Sequence, residues 1–331
     1  MKVRNILLPF VLLFMMVSCN FSHPYSVPVD DVEPIKVARF DSLVYQYVNE
    51  SDSLQRMALK DSAGAFWGIY NYHLLHLSDF PDFYEGLTSF LNDTSVAGIY
   101  ADALSSYSDM SAMEQQLSLM SARYKALFPQ CRSYLFQSHI SALSMPVVVI
   151  DSLISISIDC YLGADYAPYQ QRYHRYELPL HSPEALLPDV GEVMLRNTVL
   201  SRKGTLLDAM IYEGMIACLL SGLLDDDSAA SILRYTPEQE AWCIENEQRI
   251  WNTIVEQCHL FTTDKMIINK YIQPAPFTVT LTQEAPGRVG RWVGWRIVQQ
   301  YIESQDITLM ELASDNRHSV EILRLSNYSP R

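Results

Sequence analysis

The sequence predicts an α+β fold: a predominantly helical single domain over residues 35–331, with a small central β-sheet. Three observations lead there. Ser/Thr-x-x-Glu/Gln signatures stand directly before apolar residues at helical spacing. β-Branched and alternating runs are confined to residues 133–158. No repeat or low-complexity stretch divides the remainder, and a chain of 331 residues with 49% hydrophobic content can bury a large core.

Along the chain, the aromatic-rich segment Ala65–Leu77 reads as a helix. Ser111 with Glu114 spells a capping box, followed by Met113, Leu117, Met120, Tyr124 and Leu127 on one face. Ser133–Ile140 is a short aromatic strand and Val147–Ile150 a β-branched one. Ile154-Ser155-Ile156-Ser157-Ile158 alternates strictly, which predicts isoleucines on a core and serines facing outward. A helix is expected from near Pro188, and Thr205–Leu224 reads as a buried core helix, since Asp208 and Glu213 argue against a membrane span. Thr236-Pro237-Glu238-Gln239 is a second capping box, with proline at the first helical position. It opens a helix expected to carry Cys243, Ile250, Ile254 and Cys258 on one face. In the last predicted helix, Arg288–Glu303, Gly290 and Gly294 lie one turn apart and would let another backbone approach.

The N-terminus is of a different kind. Lys2 and Arg4 precede an apolar run from Ile6 to Val17, and Met16-Val17-Ser18 leads into Cys19. A basic start, a short apolar stretch and small residues before the cut form a secretory signal, too short to span a bilayer. The pattern resembles a bacterial lipobox, which implies a signal peptide over residues 1–18, cleavage before Cys19 and diacylation of its sulfur. Polar, proline-dotted residues 19–34 read as a lipidated tether. Losing Lys2 and Arg4 takes the formal charge from −14 to −16, which disfavours nucleic acid and anionic bilayers as partners and leaves the lipid as the route to the membrane. Cys131, Cys160, Cys218, Cys243 and Cys258 are odd in number, irregularly spaced and without a CxxC pair, so they form neither a disulfide framework nor a thiolate zinc site.

Chemistry-bearing candidates are few. Glu213 lies on the apolar stripe Leu206, Met210, Ala217, Leu220 and Leu224. A buried carboxylate there is a ligand or acid/base group, or a structural one paired with an arginine or a tyrosine hydroxyl. Glu192 precedes Arg196 by four residues, a favourable pairing on a helix surface. His73 and His76 have a workable metal spacing, yet their tyrosine and leucine neighbours suggest packing. His174 and His181 flank a tyrosine-rich loop, and Asp225-Asp226-Asp227 lacks the later glycine and glutamate of a calcium loop. There is no HExxH, nucleophile elbow, phosphate loop or dinucleotide fingerprint, and neither a metal nor a cofactor is expected.

Several segments together resemble the gliding-motility lipoprotein B (GldB) family of Bacteroidetes. They are the lipobox, Tyr161–Tyr166, Thr205–Gly214, Tyr235–Gln239, Trp242–Trp251, Pro274–Phe277 and Pro286–Val298. The resemblance implies a cell-envelope lipoprotein linked to gliding or the associated secretion apparatus, with envelope proteins of that machinery as partners. The C-terminal half is also similar, more distantly, to zincin-like peptidases of the gluzincin type. Gly191-Glu192-Val193-Met194-Leu195 falls where their HExxH stands, and Glu213-Gly214 where their glutamate ligand does. Glu192 is then the degenerate base position and Glu213 the degenerate ligand position. With Gly191 and Leu195 in place of histidines, the implied state is a peptidase scaffold without peptidase chemistry.

The favoured expectation is therefore a non-catalytic lipoprotein that binds or stabilises envelope partners. An envelope metallopeptidase drawing on His174, His181 and Glu213 is the alternative; a glycan-binding module built on Trp242, Trp251, Trp292 and Trp295 is a third, although their helical spacing favours packing. Asn20-Phe21-Ser22-His23 has no acidic cluster resembling a surface-export signal, which points to the periplasmic face of the outer membrane.

Overall fold

Three of the four short strands fall within the stretch 133–158, and the fourth comes from residues 37–39. The computed structural model describes residues 25–330, so the signal segment and Cys19 lie outside the described residues. β1 (Val37–Arg39), β2 (Leu135–His139), β3 (Val147–Ile150) and β4 (Leu153–Ser157) form one mixed sheet in the order β1-β2-β4-β3. β2 runs parallel to both β1 and β4, while β3 and β4 form an antiparallel hairpin in which Ile150 pairs with Leu153. β1 was not anticipated; three residues are too few to show an alternation.

The parallel β1–β2 pair requires a long crossover. It is filled by α1 (Phe40–Asn49), α2 (Ser53–Ser62), α3 (Phe66–Ile69), α4 (Phe83–Asn92), α5 (Thr94–Ser106) and α6 (Ser111–Leu127). After the sheet come α7 (Ala167–Arg172), α8 (Pro183–Thr198), α9 (Leu206–Leu224), α10 (Ala229–Leu233), α11 (Pro237–Glu245) and α12 (Glu247–Glu256). α13 (Lys265–Ile272), α14 (Val289–Gln305), α15 (Leu309–Ala313) and α16 (Ser319–Ser326) complete the chain. This is the expected single α+β domain with helix dominant.

Two cores share the sheet. Phe136, Ile154 and Ile156 join the main core, which is built around α8, α9 and α14. The opposite face meets a smaller aromatic core of Phe40, Phe66, Trp67 and Tyr70. The serines of β4 therefore do not face outward. Ser155 and Ser157 are fully buried, Ser155 beside Gln137 and His139 and Ser157 beside Ser141 and Asp159. The alternation was real, but both sides of the sheet are covered.

α9 and α14 lie unusually close. A β-carbon on Gly294 would overlap the carbonyl oxygen of Met210, and one on Gly214 the carbonyl oxygen of Gly294. The close approach expected at the glycines of α14 is thus made chiefly by Gly294. α9 is buried along most of its length, as expected. Its start is fixed by a capping box of Thr205 with Asp208, an aspartate version that the glutamate/glutamine signature does not find.

Several boundaries move. The Thr236–Gln239 capping box forms as read, but its helix breaks at Asn246, and Cys258 lies exposed beyond the end of α12. Ser111 does not cap α6. The N-cap is Met110, and the Glu114 carboxylate instead accepts from the Val37 amide at 3.0 Å and Lys36 Nζ at 2.6 Å, fastening α6 to β1. α8 starts at Pro183, with Pro188 inside it. The Ala65–Leu77 helix is only α3 continued by a π-helical turn over Tyr70–Leu74, and it stops where His76 takes a left-handed φ of 54°. The later part of the segment read as a tether packs on the body: Tyr25 is buried, and its carbonyl and the Val27 side chain border Gly222 of α9.

Candidate functional site

Glu192 and Glu213 come together, but on arginines. α8 presents Glu192 and Arg196 on one face, α9 presents Glu213, and α14 presents Arg291 across from both. Arg196 grips Glu213 in a two-pronged fork, Nη1–Oε1 2.9 Å and Nη2–Oε2 2.6 Å. Its Nη2 also lies 2.6 Å from Glu192 Oε1. Arg291 Nη2 donates to Glu192 Oε1 at 3.0 Å, and its Nε pairs with Glu213 Oε2 at 2.9 Å without a well-aligned N–H. Arg234, just past α10, adds Nη1–Glu192 Oε2 at 3.0 Å and Nη2–Asp189 Oδ1 at 2.5 Å. The Tyr161 hydroxyl completes the Asp189 side at 2.9 Å. The Glu192–Arg196 pairing exists, but it is not the surface pair expected: the Glu192 side chain is only 14% exposed.

Burial opposes ionisation of Glu192, and Arg291, Arg234 and Arg196 overcome it, holding its carboxyl well below the usual range. Asp189, paired with one arginine, Arg234, among the described residues, is instead pushed up by burial. Such a network contributes little net stability compared with apolar packing, but losing one member leaves a buried charge exposed to its full desolvation cost. Its chemistry is that of a clasp joining three helices, and the fork geometry selects arginine over lysine.

The remaining candidates are scattered. Gly191 and Leu195, where HExxH histidines would stand, face the core: a β-carbon on Gly191 would press on Leu220 and Met120, and Leu195 is fully buried. His73 and His76 are exposed. His181 is buried, stacked on Tyr173 at 3.7 Å with Nδ1 3.0 Å from the Cys160 carbonyl oxygen, while His174 is exposed. Among the described residues, no three His, Cys, Asp or Glu side chains stand close enough to share a metal ion. Asp225 ends α9 in a left-handed cap and pairs with Arg123. Trp292 and Trp295 are buried, and Trp251 sets its edge against Tyr328.

Arg234 and Arg291 were missed as site residues. The signal that could have found them is a single arginine inside an apolar context: Ile232-Leu233-Arg234-Tyr235 and Gly290-Arg291-Trp292-Val293.

In comparisons with known proteins, a family model described as gliding motility protein GldB matches residues 23–330. The chain belongs to the GldB family. The match covers the sheet, both cores and the arginine–glutamate clasp, and it begins after Cys19, so it does not bear on the lipidation site. Membership ties the chain to gliding motility. No curated protein and no solved structure matches the chain, and the expected likeness to zincin peptidases finds no support.

Proposed function

We propose that this chain is a non-catalytic cell-envelope lipoprotein that binds or stabilises components of the gliding-motility or linked secretion apparatus. A diacylated Cys19 holds it, on the periplasmic face of the outer membrane. The observation that carries the non-catalytic reading is the occupancy of Glu192 and Glu213. Their oxygens are engaged by three guanidiniums, which leaves poor provision for a cation. A carboxylate held well below its usual range is also a weak general base near neutral pH. Family membership supports the place in motility, and the lipobox pattern around Cys19 supports the anchor.

Deleting the gene in a gliding or secreting host should abolish surface spreading or lower secreted-protein output, and the wild-type gene should restore it. Unchanged behaviour would count against the motility role. Cys19→Ala should give a folded protein lost from the membrane fraction; retention there would place the anchor elsewhere. Cleavage of a peptide mixture by the purified chain, with or without added zinc, would overturn the non-catalytic reading.

A further inference from the structure

The clasp is not electrically balanced. Asp189, Glu192 and Glu213 face Arg196, Arg234 and Arg291, and a fourth arginine, Arg288, stands beside them with no carboxylate in ion-pair reach among the described residues. Its nearest aromatic partner is Tyr235, whose ring lies 5.8 Å away. Burial above all, then Arg291 and Arg234 nearby, pushes the Arg288 guanidinium down to about 10, and the more distant Glu192 carboxylate offsets this only in part.

Arg288 opens onto a cleft of about 480 Å³ between the loop before α8, the start of α11 and the turn that leads into α14. Arg175 stands exposed at its rim, Arg234 and Tyr235 form the floor, and Pro276 and Tyr176 contribute walls. Among the described residues no carboxylate lines it, in a chain whose formal charge is −14. The Tyr235 hydroxyl donates to the Gly287 carbonyl oxygen at 2.6 Å, which fixes the turn carrying Arg288. α14 begins at the next residue with no side chain capping it, so its positive end adds to the same field. Three arginines gathered in one concavity of an acidic protein create a local attraction for anions that the rest of the surface opposes.

We propose that this cleft binds a small ligand bearing a phosphate or carboxylate group, with Arg288 as its principal contact and Arg175 closing over it from the rim. Arg234 is already committed to Asp189 and Glu192 and serves as the floor. The guanidinium forks suit either oxyanion, and the apolar walls would accept the rest of a small organic molecule. The inference stands apart from the motility reading: either can fail without the other.

The test is titration calorimetry on the full chain in detergent at neutral pH and low salt, with inorganic phosphate in one series and citrate in another. Saturable one-site binding of at least one is expected; uptake of phosphate alone, or of citrate alone, supports the proposal and fixes the group recognised. Arg288→Asn should weaken binding by about ten-fold or more, the loss of one charge-assisted contact. Asparagine tolerates the left-handed φ of 65° at this position. Arg175→Gln, at an exposed position, should weaken binding several-fold and carries the test if the Arg288 variant does not fold. Absence of saturable binding to both anions overturns the proposal, as do wild-type affinities in folded Arg288→Asn or, failing that variant, in Arg175→Gln.

Discussion

Asp159 lies beside the sheet and Glu192 between helices, and the two buried carboxylates are held by opposite means. Asp159 accepts from the Ser157 hydroxyl at 2.5 Å and from the Leu143 and Ser141 amides at 2.8 and 3.2 Å. Its donors are neutral and lie within 18 residues along the chain. Glu192 is met by cations, one of them 99 residues away. Burial accordingly pushes Asp159 up, while arginines hold Glu192 down. Neutral local donors secure a turn, here one in which Ala142 and Leu143 both take positive φ. Charged distant donors secure the mutual placement of helices.

That contrast makes Glu213→Ala the most damaging change. It leaves Arg196 and Arg291 short of a counter-charge and should cost about 3–5 kcal/mol, read from the midpoint of urea unfolding. Asp159→Asn, which disturbs neutral hydrogen bonds, should cost about 1–3 kcal/mol; equal losses from both variants would break the contrast. Between them stands Gly294→Ala. It forces α14 away from α9 and should cost about 3 kcal/mol despite the better helix propensity of alanine. A neutral result would mean the helices can separate without loss.

Acidification separates the two carboxylates by sign. The folded value of Glu192 is depressed, so its contribution is present above its ordinary value of 4.5 and is lost as pH falls towards the folded value. The folded value of Asp159 is raised from 3.8, so its contribution is greatest below that and is lost as pH rises through the folded value. In unfolding curves collected from pH 7 to 3, Glu192→Gln should flatten the acid decline in stability and Asp159→Asn should steepen it. Shifts in the same direction would show that one of the two environments has been misassigned. The smallest effect belongs to Lys36→Ala. This removes an exposed partner of Glu114 and should cost less than about 1 kcal/mol, with high salt erasing the difference.

How far the sequence anticipates this structure depends on the reach of each interaction. α9 was legible because its apolar stripe is local and nearly unbroken, and β3 and β4 because β-branching is local too. The Ser111–Glu114 pair misled because capping chemistry is also ordinary hydrogen-bonding chemistry, and β1 offered a stronger use for the carboxylate. Ser155 and Ser157 misled because alternation reports two faces without saying what covers the second. At the candidate site, Glu213 was legible as a carboxylate on an apolar stripe, and an arginine among its expected partners. Which arginine was not: Arg196 stands 17 residues away on α8, and Arg291 on α14. Sequence spacing showed the pair within α8 and hid the pairs that decide its burial.

Arg291 lies 99 residues beyond Glu192, so the clasp cannot close until α14 is in place. A polypeptide ending before α14 would contain both glutamates and most of the main core, yet it would lack the helix that covers them and one of the cations that share their charge. Such a fragment must leave those carboxylates wet or accept them partly unmatched, and either state props open the groove that α14 fills. The clasp thereby ties closure of the fold around its acidic centre to the docking of α14.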